Sequence, residues 1–276
     1  MTSLSLITSC RNAVDLLPAT LRSIRQQSLL LGRDARFEYI VVDGASTDGT
    51  VDLIRSAAAE LPIRLISEPD RGVYDGLAKG FAKASGDVVG YLNAGDRLFP
   101  TALETLRDAF ETTPASWMTG YSTLANAKGQ PWRVNLPFRF RPQFFSNGLH
   151  GTFLLTLQQE STFWRRSLLQ GLNWDRFRSL KLAGDFYLWQ HFSKTEPPAI
   201  LHSLIGTFCA HPNQLSADNS QYVAELKSLC RAPRMSEWMV AWTDRFFWKA
   251  PRGVKRRLGG GRHIVYDPRA DSWILK

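Results

Sequence analysis

Apolar positions along the first hundred residues change period several times, and each change marks an element. Leu4-Ser5-Leu6-Ile7-Thr8-Ser9 is an apolar run of strand length. The segment after Asn12 then places Leu17, Leu21 and Ile24 at helical spacing, with Pro18 tolerable only in its first turn. Phe37-Glu38-Tyr39-Ile40-Val41-Val42 is a β-branched and aromatic run that ends in Asp43-Gly44-Ala45-Ser46-Thr47-Asp48-Gly49-Thr50, a loop rich in turn and capping residues. A helix through Val51, Ile54 and Ala58 follows, then a strand over 63–67 and a helix over 73–84 stopped by Gly86. A strand over 88–92 leads into Asn93-Ala94-Gly95-Asp96. This alternation predicts an α/β fold, with a mostly parallel central sheet and helices on both faces.

The 276 residues suffice for one sizeable core, so a single α/β unit with appended helices is expected. Hydrophobic residues make up 44% of the chain and aromatic residues 12%, which excludes a disordered polypeptide. Cys10, Cys209 and Cys230 are odd in number, widely spaced and without a CxxC pair. That excludes a disulfide framework and a zinc site, and a reducing cytoplasm is the expected home. Residues 1–8 carry no basic start and too broken an apolar run for a signal peptide, and no apolar run reaches the length of a bilayer span.

A net charge of +9 and a pI near 9.7 imply an anionic partner. Between Arg245 and Arg262 stand seven basic residues and no acid, next to Trp238, Met239, Trp242, Phe246, Phe247 and Trp248. Residues 238–262 therefore fit either the headgroup zone of an anionic membrane or a solvated C-terminal helix whose aromatics pack on the core. No GxGxxG follows the first strand and no GxxxxGK[ST] occurs, which excludes a dinucleotide dehydrogenase and a phosphate-loop NTPase. Any nucleotide must be gripped by carboxylates.

Open α/β sheets hold ligands beyond the carboxyl ends of their strands, where Asp43 and Asp96 stand. A third acid, Asp185, lies far downstream in Leu182-Ala183-Gly184-Asp185-Phe186-Tyr187-Leu188-Trp189. Each also has a local explanation. Asp43 can bond its own turn, Asp96 can cap a helix beginning near Pro100, and Asp185 can be the N-cap of the helix through Leu188 and Phe192. Asp48 is assigned to its Ser-Thr-Asp-Gly turn. Arg71 precedes a predicted helix N-terminus, a phosphate-binding position, or pairs with Glu68 or Asp70 at the surface. Trp164, Trp174 and Trp189 are taken as core, and His150, His202 and His211 as ordinary core or surface histidines.

Four segments, Ser5–Ala13, Val41–Thr50, Ser67–Asp75 and Tyr91–Asp96, occur in an order that resembles the family 2 glycosyltransferases of GT-A fold, most of all the bacterial branch that builds exopolysaccharide, capsule or O-antigen. The likeness covers roughly residues 3 to 110, with a second block around Gln159–Phe192. It implies a catalytic domain over 1–215, with a nucleotide-sugar half (1–110) and an acceptor half (111–215), and a helical, basic and aromatic extension over 216–276. It implies that Thr8, Asp43, Arg71, Asn93 and Asp96 bind the donor and that Asp96 holds Mg²⁺ or Mn²⁺. Asp185 becomes the base of an inverting single displacement, and Glu160 faces the acceptor. Two departures stand out. Asp43 is followed by Gly44 where many members carry a second acid, and Asn93-Ala94-Gly95-Asp96 has one acid in place of an Asp-x-Asp pair.

The expected partners are a nucleotide-sugar donor, a lipid-linked or saccharide acceptor and an anionic membrane surface, with no nucleic acid. The expected location is cytoplasmic, on the inner face of the membrane. A sugar nucleotidyltransferase and a non-catalytic glycan-binding or membrane-binding relative are the alternative readings.

Overall fold

The computed structural model describes residues 1–27, 36–210, 219–258 and 262–276. Its main sheet is built on β1 (Leu4–Cys10), β2 (Phe37–Asp43), β3 (Ile63–Ser67) and β4 (Val88–Tyr91), all parallel. β1, β4 and most of β2 are buried. This is why they read as nearly continuous apolar runs: a strand covered on both faces has no solvent side on which to alternate.

The sheet continues past β4 through β9 (Thr162–Arg165), β6 (Trp117–Thr119), β10 (Ala199–Leu201), β12 (His263–Asp267) and β13 (Ser272–Leu275), nine strands in the order β13-β12-β10-β6-β9-β4-β1-β2-β3. β9 runs antiparallel to both of its neighbours and β13 antiparallel to β12. A second sheet, β5 (Arg97–Leu98), β11 (Gly206–Cys209), β7 (Ser122–Ala125) and β8 (Pro131–Asn135), stands beside it.

Helices cover both faces of the main sheet, as the alternation predicted. α1 (Leu17–Arg25), α2 (Thr50–Ala57) and α4 (Ala102–Thr112) bury Leu17, Leu21, Ile24, Ile54, Leu106 and Phe110 on one side. α3 (Val73–Lys83), α6 (Trp174–Ser179) and α7 (Gly184–Phe192) bury Leu77, Phe81, Phe177, Leu188 and Phe192 on the other, around Trp164 and Trp189. Those two indoles have no exposed surface, in agreement with the core assignment. Pro18 sits at the start of α1, where its missing N–H costs no helical bond.

Chain order makes β1 the switch point. β2 and β3 lie on one side of it, while the next strand, β4, crosses to the other. Loops leaving the carboxyl ends of β1 and β4 therefore diverge and open a crevice, the usual ligand position in such sheets. After α8 (Asn219–Ser228), α9 (Met235–Trp248) and α10 (Arg252–Leu258), the chain does more than add helices. It returns as the β12–β13 hairpin, and β12 pairs with β10 at Ile200↔His263.

Candidate active site

The parallel register sets Cys10 beside Asp43 and Asp43 beside Ser67, a row of strand ends. Asp43 is fully buried; its Oδ2 accepts from Ser46 N (3.1 Å) and Ser67 Oγ (2.8 Å), while Oδ1 is enclosed with no protein donor. Leaving such an acceptor unpaired costs about 1–3 kcal/mol, so the oxygen is poised for a hydroxyl or N–H donor. The turn that returns Ser46 to Asp43 holds Ala45 at φ 58°, a left-handed position that a residue with a β-carbon seldom takes outside functional loops.

A β-carbon on Gly44 would lie 2.6 Å from Asp70 Oδ2. The carboxylate of Asp70 thus occupies the room that a second acid after Asp43 would need, and offers its own charge there. Cys10 registers this acidity: burial, with Asp43, Asp48 and Asp70 nearby, pushes its thiol up to about 12. Asp48 keeps the structural part assigned to it, accepting from Thr50 N and Oγ1 and from Val14 N. Thr8 does not offer its hydroxyl to the crevice. Its Oγ1 is buried, donates to Leu92 O (2.7 Å) and accepts from Tyr39 (2.9 Å), so it fastens β1 to β4.

Gly72 opens α3 with Arg71 just before it. The Arg71 guanidinium is mostly exposed and pairs with Asp75 (3.4 Å), not with Glu68 or Asp70; Glu68 pairs with Lys79 and Asp70 accepts from Gly72 N. This segment touches the loop that carries the downstream acid. Lys181 Nζ donates to Arg71 O (3.0 Å), Tyr74 donates to Leu182 O (2.6 Å), and a β-carbon on Gly184 would strike the Tyr74 ring at 2.4 Å. Asp185, one residue on, is consequently held beside the N-terminus of α3.

Asp185 lies in the first turn of α7, but Ala183 is the N-cap, so the capping explanation fails. Its Oδ1 accepts from Phe186 N (2.7 Å), and the Tyr222 hydroxyl of α8 lies 3.3 Å from both oxygens. Burial pushes the Asp185 carboxyl up to about 7 against the downward pull of these bonds. Glu225, on the same face of α8, accepts from the backbone N–H groups of Lys181, Leu182 and Ala183 and pins the loop that presents Asp185.

Asp96 does not cap α4 either. It is buried, with Oδ1 accepting from Cys209 N (2.9 Å) and Oδ2 from Gln159 Nε2 (3.2 Å). Burial raises its carboxyl to about 7. Glu160 is buried as well, and burial together with the charge of Asp96 pushes it well above the usual carboxylate range, with a smaller push from Asp185. Its Oε1 and the Oε1 of Gln159 are enclosed without a partner. Asn93 is half-buried at the rim, and its carbonyl closes the turn by accepting from Asp96 N (3.1 Å).

Asp96, Glu160 and Asp185, all expected from sequence, therefore lie within electrostatic reach of one another, and the start of α3 links their side to Asp43 through Asp70. Asp70, Tyr222, Glu225 and Gln159 were missed as parts of the site. Tyr222 and Glu225 had no motif around them, while the fit of Asp70 against Gly44 exists only in three dimensions. His150 is a satisfied core residue whose Nε2 accepts from Arg141 N and whose Nδ1 donates to Leu155 O; burial lowers it to about 3. His202 bonds His263 (2.9 Å), and His211 lies outside the described residues.

The profile of glycosyl transferase family 2 matches residues 5–170, more than half of the chain. The chain belongs to glycosyl transferase family 2. Among curated proteins, this family 2 chain is 38% identical over 97 residues to a PGL/p-HBAD biosynthesis glycosyltransferase of Mycobacterium tuberculosis, a match covering 34% of the chain and 36% of that protein. It is 32% identical over 88 residues to an uncharacterized glycosyltransferase of Nostoc, covering 31% and 27%. The match thus spans about a third of these relatives' length.

Solved structures agree over far more of the fold. TarS of S. aureus in complex with UDP-GlcNAc superposes with a TM-score of 0.61 at 13% identity, over 93% of this chain and 70% of that one. The mannosyltransferase PcManGT of Pyrobaculum calidifontis, solved with GDP-Man and Mn²⁺, gives 0.60 at 18% identity over 94% and 73%. Glucosyl-3-phosphoglycerate synthase of Mycobacterium tuberculosis, solved with Mn²⁺, UDP and phosphoglyceric acid, gives 0.54 at 21% identity over 85% and 80%. At these identities the likeness is one of fold, and that fold is GT-A.

Proposed function

We propose that the chain transfers a glycosyl group from a nucleoside-diphosphate sugar to a hydroxyl acceptor with inversion. The observation that carries this reading is the linkage, at the switch point of the sheet, of Asp43 and Asp70 through the N-terminus of α3 to the group Asp96, Glu160 and Asp185. Asp43, through its unpaired Oδ1, takes a ribose hydroxyl or base N–H. The N-terminus of α3, with Arg71, faces the diphosphate, whose negative charge the helix dipole favours. Asn93 borders the donor, while Thr8 serves it only by fastening the strands beneath.

Asp185 accepts the proton of the acceptor hydroxyl as that oxygen attacks the anomeric carbon. The bond from that carbon to the diphosphate oxygen breaks, and the nucleoside diphosphate leaves with the electron pair. A carboxylate near pKa 7 suits this task, being ionised at working pH yet basic enough to take the proton.

No group of three or more His, Cys, Asp or Glu side chains among the described residues is arranged to hold a metal by itself. The oxygens present nevertheless fit Mg²⁺ or Mn²⁺ of the kind bound largely through substrate phosphates: Asp96 supplies one carboxylate, and Glu160 Oε1 and Gln159 Oε1 are enclosed without partners. Such a cation would neutralise charge developing on the departing diphosphate. Glu160 also lies within electrostatic reach of both Asp96 and Asp185, and the acceptor-side role is proposed for it.

The acceptor is taken to be lipid-linked or saccharide, in bacterial surface polysaccharide synthesis, at the cytoplasmic face of the membrane. The resemblance of the four motifs to the exopolysaccharide branch supports this, as does the cationic C-terminal segment; the catalytic unit, expected over 1–215, is proposed to reach past 215, because Tyr222 and Glu225 of α8 hold Asp185 and its loop and β12 joins the main sheet. A thermal-shift screen of UDP- and GDP-sugars with and without Mn²⁺ tests the donor reading, followed by assay of the product. Release of free nucleoside diphosphate on transfer is expected. Release of pyrophosphate, or no nucleotide binding under any condition, would overturn the proposal.

A further inference from the structure

Helix α9 has two unlike faces. Inward, Trp238, Ala241 and Trp248 pack against Phe144, Leu149, Phe153 and Leu154, and Asp244 is clamped by Arg141 through Nε (2.6 Å) and Nη2 (3.0 Å). Outward, Met235, Met239, Trp242 and Phe246 are 80%, 68%, 62% and 75% exposed. At 3.6 residues per turn these four fall within about 60° of arc and run for about 17 Å along the helix. A continuous apolar stripe of this kind on a well-anchored helix is not an ordinary solvated face. Val254 and Leu258 of the following α10 are exposed as well.

The charges beside the stripe have one sign. Of the two acids between Leu229 and Arg262, Asp244 is buried on Arg141, and Glu237, little exposed, is neutralised by Arg231. Arg234, Arg245, Lys249 and Arg257 remain exposed around the stripe. A second copy docking through the same face would bring these cations together, whereas a surface of anionic headgroups complements them. No helix among the described residues is long and apolar enough to cross a membrane.

We infer that α9 is an interfacial helix, lying on an anionic bilayer with Met235, Met239, Trp242 and Phe246 set among the upper acyl chains and the basic residues at the headgroups. The inference rests on the membrane-face location proposed above, and it specifies the surface responsible. Docked so, the enzyme would meet a lipid-linked acceptor by diffusion in two dimensions.

The test uses the intact chain with sedimented vesicles of phosphatidylcholine alone or with 30% phosphatidylglycerol, and it follows UDP and GDP binding by thermal shift in the same preparations. Binding to the anionic vesicles is expected, weaker in 0.5 M NaCl, and M239E/F246E should reduce it by about tenfold or more. M239L/F246L should retain it, and both variants should keep the melting temperature and nucleotide binding of the parent. Equal binding by M239E/F246E and the parent would overturn the inference, as would no preference for anionic vesicles. A dimer that M239E/F246E dissociates, with no vesicle binding, would overturn it in favour of self-association. Loss of nucleotide binding with vesicle binding intact would count against the donor reading alone.

Discussion

Asp43 and Asp185 lie on two segments that the start of α3 joins, and their surroundings differ in kind. Asp43 is met by donors from its own neighbourhood: Ser46 three residues on, and Ser67 from the next strand in register. Asp185 is held by segments remote from it in the chain, Tyr222 and Glu225 of α8 around its loop and Tyr74 of α3 beneath it. The acids on its side, Asp96, Glu160 and Asp185, are crowded into the interior and pushed above the usual carboxylate range. One end is built to present an acceptor atom to a ligand. The other is built so that its charge is conditional, on pH, on a cation or on the proton of a substrate.

The sharpest way to separate the ends is to neutralise each in turn. Asp185→Asn should lower the transfer rate by about 10² to 10⁴, the usual worth of a general base, and leave nucleotide affinity by calorimetry near that of the parent. Retained turnover would remove its role. Asp43→Ala should act in the opposite sense, weakening UDP or GDP binding by roughly tenfold to a hundredfold, the loss of a hydrogen bond to a charged group. If it lowered the rate at saturating donor with affinity intact, the division of labour drawn above would be reversed.

The conditional charge of the acceptor end also predicts a stability profile. Carboxyls raised on folding stabilise the protein fully below their unfolded values and lose that contribution as pH rises through the folded values. The ligand-free protein should therefore melt at a lower temperature at pH 8 than at pH 5, by roughly 5 °C or more from Asp96 alone. Asp96→Asn, with Gln159 turning its amide to offer Oε1, should reduce that slope in a calorimetric scan, the remainder coming from Asp185 and Glu160. An unchanged slope would show that Asp96 is not among the raised groups.

The smallest effect is the most local. Tyr222 donates to the ionised form of Asp185 and holds its pKa down, so Tyr222→Phe should move the acid limb of the pH–rate profile to higher pH by up to about one unit. An unmoved limb would show that the hydroxyl does not reach the working carboxylate.

Much of the donor end is legible in the sequence, because its geometry is local. A strand, a turn of Gly, Ser and Asp, and a helix put Asp43 at a strand end by local rules, and β3 matches its sequence span of 63–67. The same rules failed where a residue's partner lay far along the chain. Thr8 belonged to a matching motif, yet its hydroxyl is consumed by Leu92 and Tyr39. Arg71 pairs with Asp75, and not with Glu68 or Asp70, the two acids nearest to it in sequence. Local capping accounts for neither Asp96 nor Asp185: Thr101 and Ala183 are the N-caps, and Cys209, Gln159 and Tyr222 hold the two carboxylates.

Hydrophobic periodicity by itself determined the alternation of strands and helices, the two-sided burial of the sheet and the carboxyl ends at which acids would be useful, since each depends on residues within one turn or one strand. Only the tertiary structure decided that Asp70 fills the place of a missing second acid, that Glu160 is driven against Asp96, and that α9 turns four large apolar side chains outward. Those outcomes come from packing between segments tens to hundreds of residues apart, and a burial or an unpaired oxygen is a property of the assembled neighbours, not of the residue that carries it.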